Sequence, residues 1–83
     1  DVTIGYNVPW RKVHELLLKA AENTEDIEKK PEPFVLQNNL GDFSVSYQIN
    51  AHSKRPLYKD LIYSRLHQNI QDMFIEAGIE ILS

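Results

Sequence analysis

The chain has 83 residues, the size of one small domain, and its lack of cysteine excludes a disulfide framework, a thiolate metal site and a cysteine nucleophile. Nine basic and 12 acidic residues give a net charge of −3, which argues against electrostatic binding of nucleic acid. No apolar run approaches the ~20 residues that cross a bilayer, and no signal-peptide pattern opens the sequence.

The first two predicted elements are a strand and an amphipathic helix. The opening residues alternate between apolar and polar side chains, which predicts a strand with Val2, Ile4 and Tyr6 on one face. Pro9 suits a first helical turn, and after it apolar residues recur at the spacing of a helix that ends near Asn23. These residues are Val13, Leu16, Leu17, Ala20 and Ala21.

An acidic segment, residues 22–32, follows the helix. It contains five carboxylates and two lysines and so accounts for the whole net charge. Runs of this kind are typical of a solvated loop, and Pro31 and Pro33 exclude a helix or a central strand at its end. The alternative is that the segment attracts cations at the surface of an assembly.

The clearest strand signal comes after Pro33. Residues 34–38 form a short predicted strand, residues 40–42 a turn, and residues 43–53 a strand of strict apolar–polar alternation. The two strands should pair as an antiparallel hairpin. The predicted core face of the second strand contains Phe43, Val45, Tyr47, Ile49 and Ala51. The opposite face contains Ser44, Ser46, Gln48 and Asn50, with Phe34 and Leu36 beside them if Val35 points into the core.

A second helix and a last strand complete the predicted elements. Helical spacing returns between residues 57 and 77, Gly78 stands where a left-handed C-terminal cap belongs, and residues 79–82 are predicted to form a strand. The apolar stripe of this helix contains Ile62, Leu66, Ile70, Met73, Phe74 and Ala77, with Tyr58 and Leu61 at its start.

The predicted order is β-α-β-β-α-β, which is the ferredoxin-like arrangement of the α+β class. It has a four-stranded antiparallel sheet with two helices on one face, in a single domain spanning residues 1–83. Because each helix has one apolar stripe, the second sheet face is left without an internal cover. We expect that face to pack on a neighbouring subunit or domain, with Phe34 and Leu36 as its apolar contacts.

Nothing in the sequence indicates catalysis or a bound cofactor or metal. His14, His52 and His67 lack the spacing of metal ligands and are predicted to be exposed. The glycines are isolated, and no nucleophile motif occurs. An RNA-recognition role conflicts with a third strand that lacks lysine and arginine and places Phe43 and Tyr47 on its core face. A copper-chaperone role would require a Cys-x-x-Cys motif.

Three aromatic residues outside the predicted core allow two interpretations. Trp10 either caps the first helix and packs on the sheet edge, or it belongs to a subunit interface together with Tyr63. Tyr58 allows the same choice, because Trp and Tyr are enriched in interfaces.

Taken in order, the sequence resembles the C-terminal α/β part of the cytoplasmic domain of small-conductance mechanosensitive channels, the MscS family. The resemblance covers essentially all 83 residues. The matching pieces are residues 2–7, Pro9-Trp10, Val13, Leu16-Leu17, Ala20-Ala21, Pro31-x-Pro33-x-Val35, Leu40-Gly41-Asp42, the alternating third strand, and Phe74-x-x-x-Gly78-Ile79-Glu80-Ile81. Two departures are Val8, where a polar capping residue is common, and Leu82-Ser83, where many members have a proline-containing run.

The resemblance implies that this segment lies on the cytoplasmic side of the cell (inner) membrane. There it would be part of an integral membrane protein that releases solutes under hypo-osmotic stress. The resemblance also implies self-association into a hollow heptameric cage, with no catalytic residues, no nucleic-acid partner and no direct membrane contact by this segment. Met73 is the only methionine and the chain begins at Asp1, so we expect a segment of a longer channel. The alternative hypothesis is a small regulatory ligand-binding domain of the same fold.

Overall fold

The computed structural model describes residues 1–82, and this range contains three β-strands and two α-helices. They are β1 (Val2–Gly5), α1 (Trp10–Glu22), β2 (Phe34–Leu40), β3 (Ser44–Asn50) and α2 (Lys59–Glu76), and a 3₁₀ turn at Pro56–Tyr58 leads into α2. The predicted α+β class and the order of the first five elements are confirmed.

The three strands form an antiparallel sheet in the order β1-β3-β2, so β3 is the central strand. In β1, Val2 lies opposite Tyr47. The predicted hairpin of β2 and β3 is present, and its register shifts between Gln37 and Asn39. Such a bulge bends the strand and interrupts regular pairing.

The hydrophobic core lies between one face of the sheet and the two helices. Helix α1 buries the stripe that its spacing predicts, α2 buries the central part of its predicted stripe, and Ile4, Val45 and Tyr47 meet them from the sheet. The buried helix residues are Val13, Leu16, Leu17, Ala20 and Ala21 of α1 and Ile62, Leu66, Ile70 and Phe74 of α2. Each fully buried leucine or isoleucine contributes about 1.5–3 kcal/mol, so this interface is the main source of stability.

At the hairpin end of the sheet, the predicted core face includes residues that the structure leaves exposed. Val45 and Tyr47 are buried as predicted, but Phe43 is 87% exposed because it lies before the first residue of β3, in the turn. Tyr6 is also exposed, since it follows the end of β1. Its hydroxyl donates a hydrogen bond to the Gly41 carbonyl and so ties β1 to the turn.

The apolar stripe of α2 is shorter than predicted. Tyr58 and Leu61 at its start and Ala77 at its end are exposed. Helical periodicity identifies a face but cannot show where the opposing surface ends.

The end of α2 confirms the predicted role of Gly78. Its φ of +69° is in the left-handed region, where glycine carries no Cβ penalty. The Ile79 N–H donates to the Phe74 carbonyl at 2.9 Å and the Gly78 N–H to the Ile75 carbonyl at 3.0 Å. These two bonds define a Schellman motif, which turns the chain back towards the sheet.

The strand predicted at residues 79–82 is not confirmed, because no strand element lies there in the described residues. The Leu82 N–H donates to the Thr3 carbonyl at 2.8 Å, but the segment does not form a ladder with β1. Ile79 and Ile81 nevertheless pack against the core. Side-chain burial therefore holds the segment beside β1, and its backbone lacks the regular pairing of a strand.

The acidic segment is not a wholly solvated loop. Ile27 at its centre is only 6% exposed. On either side of it, the Glu28 N–H donates to the His52 carbonyl and the Lys54 N–H to the Asp26 carbonyl, each at 2.7 Å. The segment is therefore fixed to the chain that follows β3, while most of its carboxylates remain in water.

Candidate assembly surface

One face of the sheet carries no helix in the described part of the chain. Side chains alternate across a strand, and the core occupies the other face, so every second residue points away from both helices. We call this surface the outer face; it consists of Thr3, Gly5, Phe34, Leu36, Ser44, Ser46, Gln48 and Asn50. None of these residues carries a charge.

Two large apolar side chains stand together on the outer face, as predicted. Phe34 is 48% exposed and Leu36 is 47% exposed, and they lie opposite Asn50 and Gln48. Val35 between them packs against the core. Phe34 and Leu36 therefore form an apolar strip on the edge strand of the sheet, next to small polar side chains of the central strand.

Trp10 lies on the helix side of the sheet rather than on the outer face. Its ring is half exposed and stacks edge-on with His14, with centroids 5.1 Å apart, while the Arg11 guanidinium lies 4.3 Å from its centroid. His14 in turn contacts Tyr47 edge-on at 5.7 Å. Trp10 therefore covers His14, which is partly buried and not exposed as predicted.

This aromatic stack contains a buried polar atom. Nε2 of His14 is enclosed and has no hydrogen-bond partner within residues 1–82. Burial raises the pKa of the Tyr47 phenol above its ordinary value of 10.0. The stack is thus a packing contact of α1 against β3, with no arrangement of groups that would activate a nucleophile.

Tyr63 has a structural contact. It is partly buried on α2, and its hydroxyl donates to the Ala51 carbonyl at 2.9 Å. The four residues predicted for a subunit interface therefore do not form one surface. Phe34 and Leu36 share the outer face, whereas Trp10 and Tyr63 lie on the two helices.

An exposed apolar cluster lies at the start of α2, and of its members the sequence interpretation named only Tyr58 as a candidate contact. Leu57 is 95% exposed, and Tyr58 and Leu61 beside it are about half exposed. Three exposed cations, Lys54, Arg55 and Lys59, flank them in sequence. We call these six residues the basic corner. The four-residue spacing of Leu57 and Leu61 is the sequence signal for this cluster, but Leu61 is also compatible with the start of the core stripe.

The described residues offer two shallow grooves and no metal-binding cluster. Within residues 1–82, no three His, Asp or Glu side chains come together as a metal site requires. A groove of about 700 Å³ separates α2 from the end of β3; its lining includes Gln48, Asn50, Tyr63, His67 and Gln71. A second groove, of about 880 Å³, borders the acidic segment.

Comparison with protein families identifies the chain. The family model described as "Mechanosensitive ion channel MscS, C-terminal" matches residues 1–81. The chain belongs to the MscS family of mechanosensitive ion channels. A comparison with curated proteins gave no match. The MscS assignment agrees with the resemblance found in the sequence.

Membership of the MscS family bears on what can cover the outer face. The family is one of ion channels and not of enzymes, and its members oligomerise. Neither α1 nor α2, the helices of residues 1–82, combines the length and apolarity that a bilayer-crossing helix needs. An uncharged sheet face with an apolar strip is the kind of surface that another part of an oligomeric channel can cover.

Proposed function

We propose that this chain is the cytoplasmic assembly domain of an MscS-type channel. It helps to shape the vestibule through which solutes approach the pore, and it conducts no ions by itself. The observation that carries this proposal is the outer face, where Phe34 and Leu36 are exposed next to uncharged side chains. In the channel this face packs on a neighbouring subunit or on another domain of the same chain.

The family likeness supports the finer points of the proposal. The domain is part of a longer membrane protein, lies on the cytoplasmic side and takes part in a heptameric cage. Residues 79–82 complete the ferredoxin-like sheet as its fourth strand beside β1. The hydrogen bond from Leu82 to Thr3 and the packing of Ile79 and Ile81 favour this completion, because they already align the segment with β1.

The test replaces the apolar strip in the full channel. Phe34→Gln and Leu36→Gln together should leave the melting temperature of the 83-residue chain within about 2 °C, because both side chains are already half exposed. The same pair should convert the detergent-solubilised channel from its oligomer to smaller species in light-scattering measurements. Ile75→Gln is the matched control, since Ile75 is exposed on α2 and not on the outer face.

Two results would contradict the proposal. One is a channel that keeps its full oligomer and its osmotic-shock protection with Phe34→Gln and Leu36→Gln. The other is a tight, concentration-independent oligomer of the isolated chain, which we expect to be monomeric or weakly associating because most cage contacts need the rest of the channel.

The groove beside α2 favours a second candidate, a small regulatory ligand-binding domain. Its volume of about 700 Å³ is in the range of ligand sites, and His67 and Gln71 of α2 offer it donors and acceptors. Thermal-shift screening of the isolated chain with metabolites tests this candidate. A reproducible shift of several degrees that His67→Ala abolishes would support it, and uniformly flat profiles would reject it.

A further inference from the structure

The basic corner is an exposed protrusion that the outer-face proposal does not use. Leu57 is almost wholly exposed in the 3₁₀ turn, and the hydrogen bond from the Tyr58 N–H to the Arg55 carbonyl at 2.9 Å holds that turn in place. Tyr58 and Leu61 extend the apolar surface beside it. These three exposed apolar side chains have cations beside them in sequence, and exposed apolar patches rimmed by polar residues mark interaction sites.

The groove beside the acidic segment has the complementary chemistry. Its apolar lining is formed by Leu18, Ala21, Ile27 and Pro33. Its charged lining consists of five carboxylates, Glu22, Glu25, Asp26, Glu28 and Glu32, against the two lysines Lys29 and Lys54. At about 880 Å³, this acidic groove is large enough to receive a leucine side chain with its neighbours.

We infer that the basic corner of one copy docks in the acidic groove of a second copy. Leu57 inserts against the apolar lining near Leu18, and Lys59 meets the carboxylate rim near Glu25. This inference rests on the proposed assembly role and adds a second contact to it.

Charge complementarity argues for a second copy as the occupant. The acidic segment carries the whole net charge of the chain. The basic corner has three cations and one neighbouring carboxylate, Asp60, and Lys54 already lines the acidic groove of its own chain. Arg55 already pairs with Asp26 of its own chain at 3.6 Å, but Lys59 and Glu25 form no ion pair within residues 1–82. Contact between two different patches of identical chains is heterologous, and it closes into a ring where the rotation between copies closes.

Site-directed disulfides test this contact, and the absence of native cysteine keeps the background low. A Leu57→Cys chain is mixed with an isotope-labelled Leu18→Cys chain under mild oxidation, and the products are resolved by mass. We expect the mixed disulfide to exceed both homodimeric products several-fold and to decline at high salt, because salt screens exposed charges. Ile75→Cys in place of Leu57→Cys is the control, since Ile75 lies near the other end of α2.

A charge exchange makes the test specific. Lys59→Glu in the Leu57→Cys chain should reduce the mixed disulfide several-fold, and Glu25→Lys in the Leu18→Cys chain should restore it. Both positions are exposed, so neither change threatens folding. A yield equal to that of the Ile75→Cys control, or a yield insensitive to both charge changes, overturns the inference.

The result of the cross-linking experiment can be distinguished from the result of the outer-face experiment. The Phe34→Gln and Leu36→Gln experiment does not involve Leu57 or Leu18. If the channel dissociates with Phe34→Gln and Leu36→Gln, and the cross-linking experiment gives no Leu57–Leu18 disulfide, the docking inference alone is contradicted. If the Leu57–Leu18 disulfide forms specifically, and the channel with Phe34→Gln and Leu36→Gln keeps its full oligomer, the outer-face proposal alone is contradicted.

Discussion

The side-chain amide of Asn69 on α2 donates a 2.8 Å hydrogen bond to the hydroxyl of Thr24, just beyond the end of α1. The Thr24 hydroxyl donates in turn to the Ala20 carbonyl, also at 2.8 Å. Thr24 is buried, so water cannot easily replace either bond. These two bonds tie the C-terminal end of α1 to the middle of α2 and fix where the acidic segment begins.

Thr24→Val should lower the free energy of unfolding by about 1–2 kcal/mol. The substitution keeps the shape of the side chain but leaves the Asn69 amide without its acceptor in a partly buried position. Urea unfolding followed by circular dichroism measures the change. Thr24→Ser is the control, because it retains the hydroxyl and should lose clearly less. A loss in the Val variant that is no larger than the loss in the Ser variant would show that the hydroxyl contributes no more to stability than the methyl group, which Ser alone lacks.

Ile27→Ala should destabilise the chain by about 2–4 kcal/mol, since Ile27 is the buried centre of the acidic segment. Leu57→Ala removes a side chain of equal size from a site that is 95% exposed and should change stability by less than about 0.5 kcal/mol. The midpoints of thermal unfolding of the two variants make the comparison. If both variants melt like the parent chain, the acidic segment is not docked in solution.

His14→Phe should leave stability unchanged or raise it by up to about 1 kcal/mol. Phenylalanine keeps the edge-on contacts with Trp10 and Tyr47 and replaces the enclosed Nε2, which has no partner within residues 1–82, by carbon. His14→Ala is the comparison, and it should lose about 1–2 kcal/mol because it removes the stacking itself. A clear loss of stability in the Phe variant would show that Nε2 is hydrogen-bonded in solution.

Tyr47 should make the fold sensitive to alkali. Burial raises the pKa of its phenol above 10.0, so the folded state favours the protonated form. Its stabilising contribution is therefore complete below pH 10 and is lost as the pH rises through the pKa of the folded state. Chemical unfolding between pH 8 and pH 11 should show this decline, and Tyr47→Phe should flatten it. An equally steep decline in the Phe variant would assign the effect to other groups.

The sequence predicted the architecture well where a pattern repeats several times. Val45 and Tyr47 lie in the middle of an alternating strand, and their burial follows directly from the period of two. Phe43 continues the same pattern one step beyond the strand, and the pattern could not show that no helix covers it. The strand at residues 79–82 is not confirmed for a related reason, since strand pairing depends on a partner edge and not on alternation alone.

The candidate surface was predicted only in part. Phe34 and Leu36 lie on the outer face as predicted. Successive side chains of a strand point to opposite faces, so Val35 in the core places its two neighbours on the other face. Ile27 was missed because one apolar residue in a charged run has no periodic neighbours, and its burial depends on contacts with the distant segment around His52. Such long-range contacts are tertiary and leave no local pattern.

The register shift between Gln37 and Asn39 also bears on how the isolated domain behaves. β2 is an edge strand of seven residues with no charged side chain, which is ordinarily a template for uncontrolled sheet extension. The shift divides the pairing of β2 with β3 into two parts, residues 34–37 and residues 39–40, with an irregularity between them. A bulge of this kind makes an edge strand a poorer template for a continuous sheet, so we expect the domain to expose its assembly surface with little sheet-to-sheet aggregation.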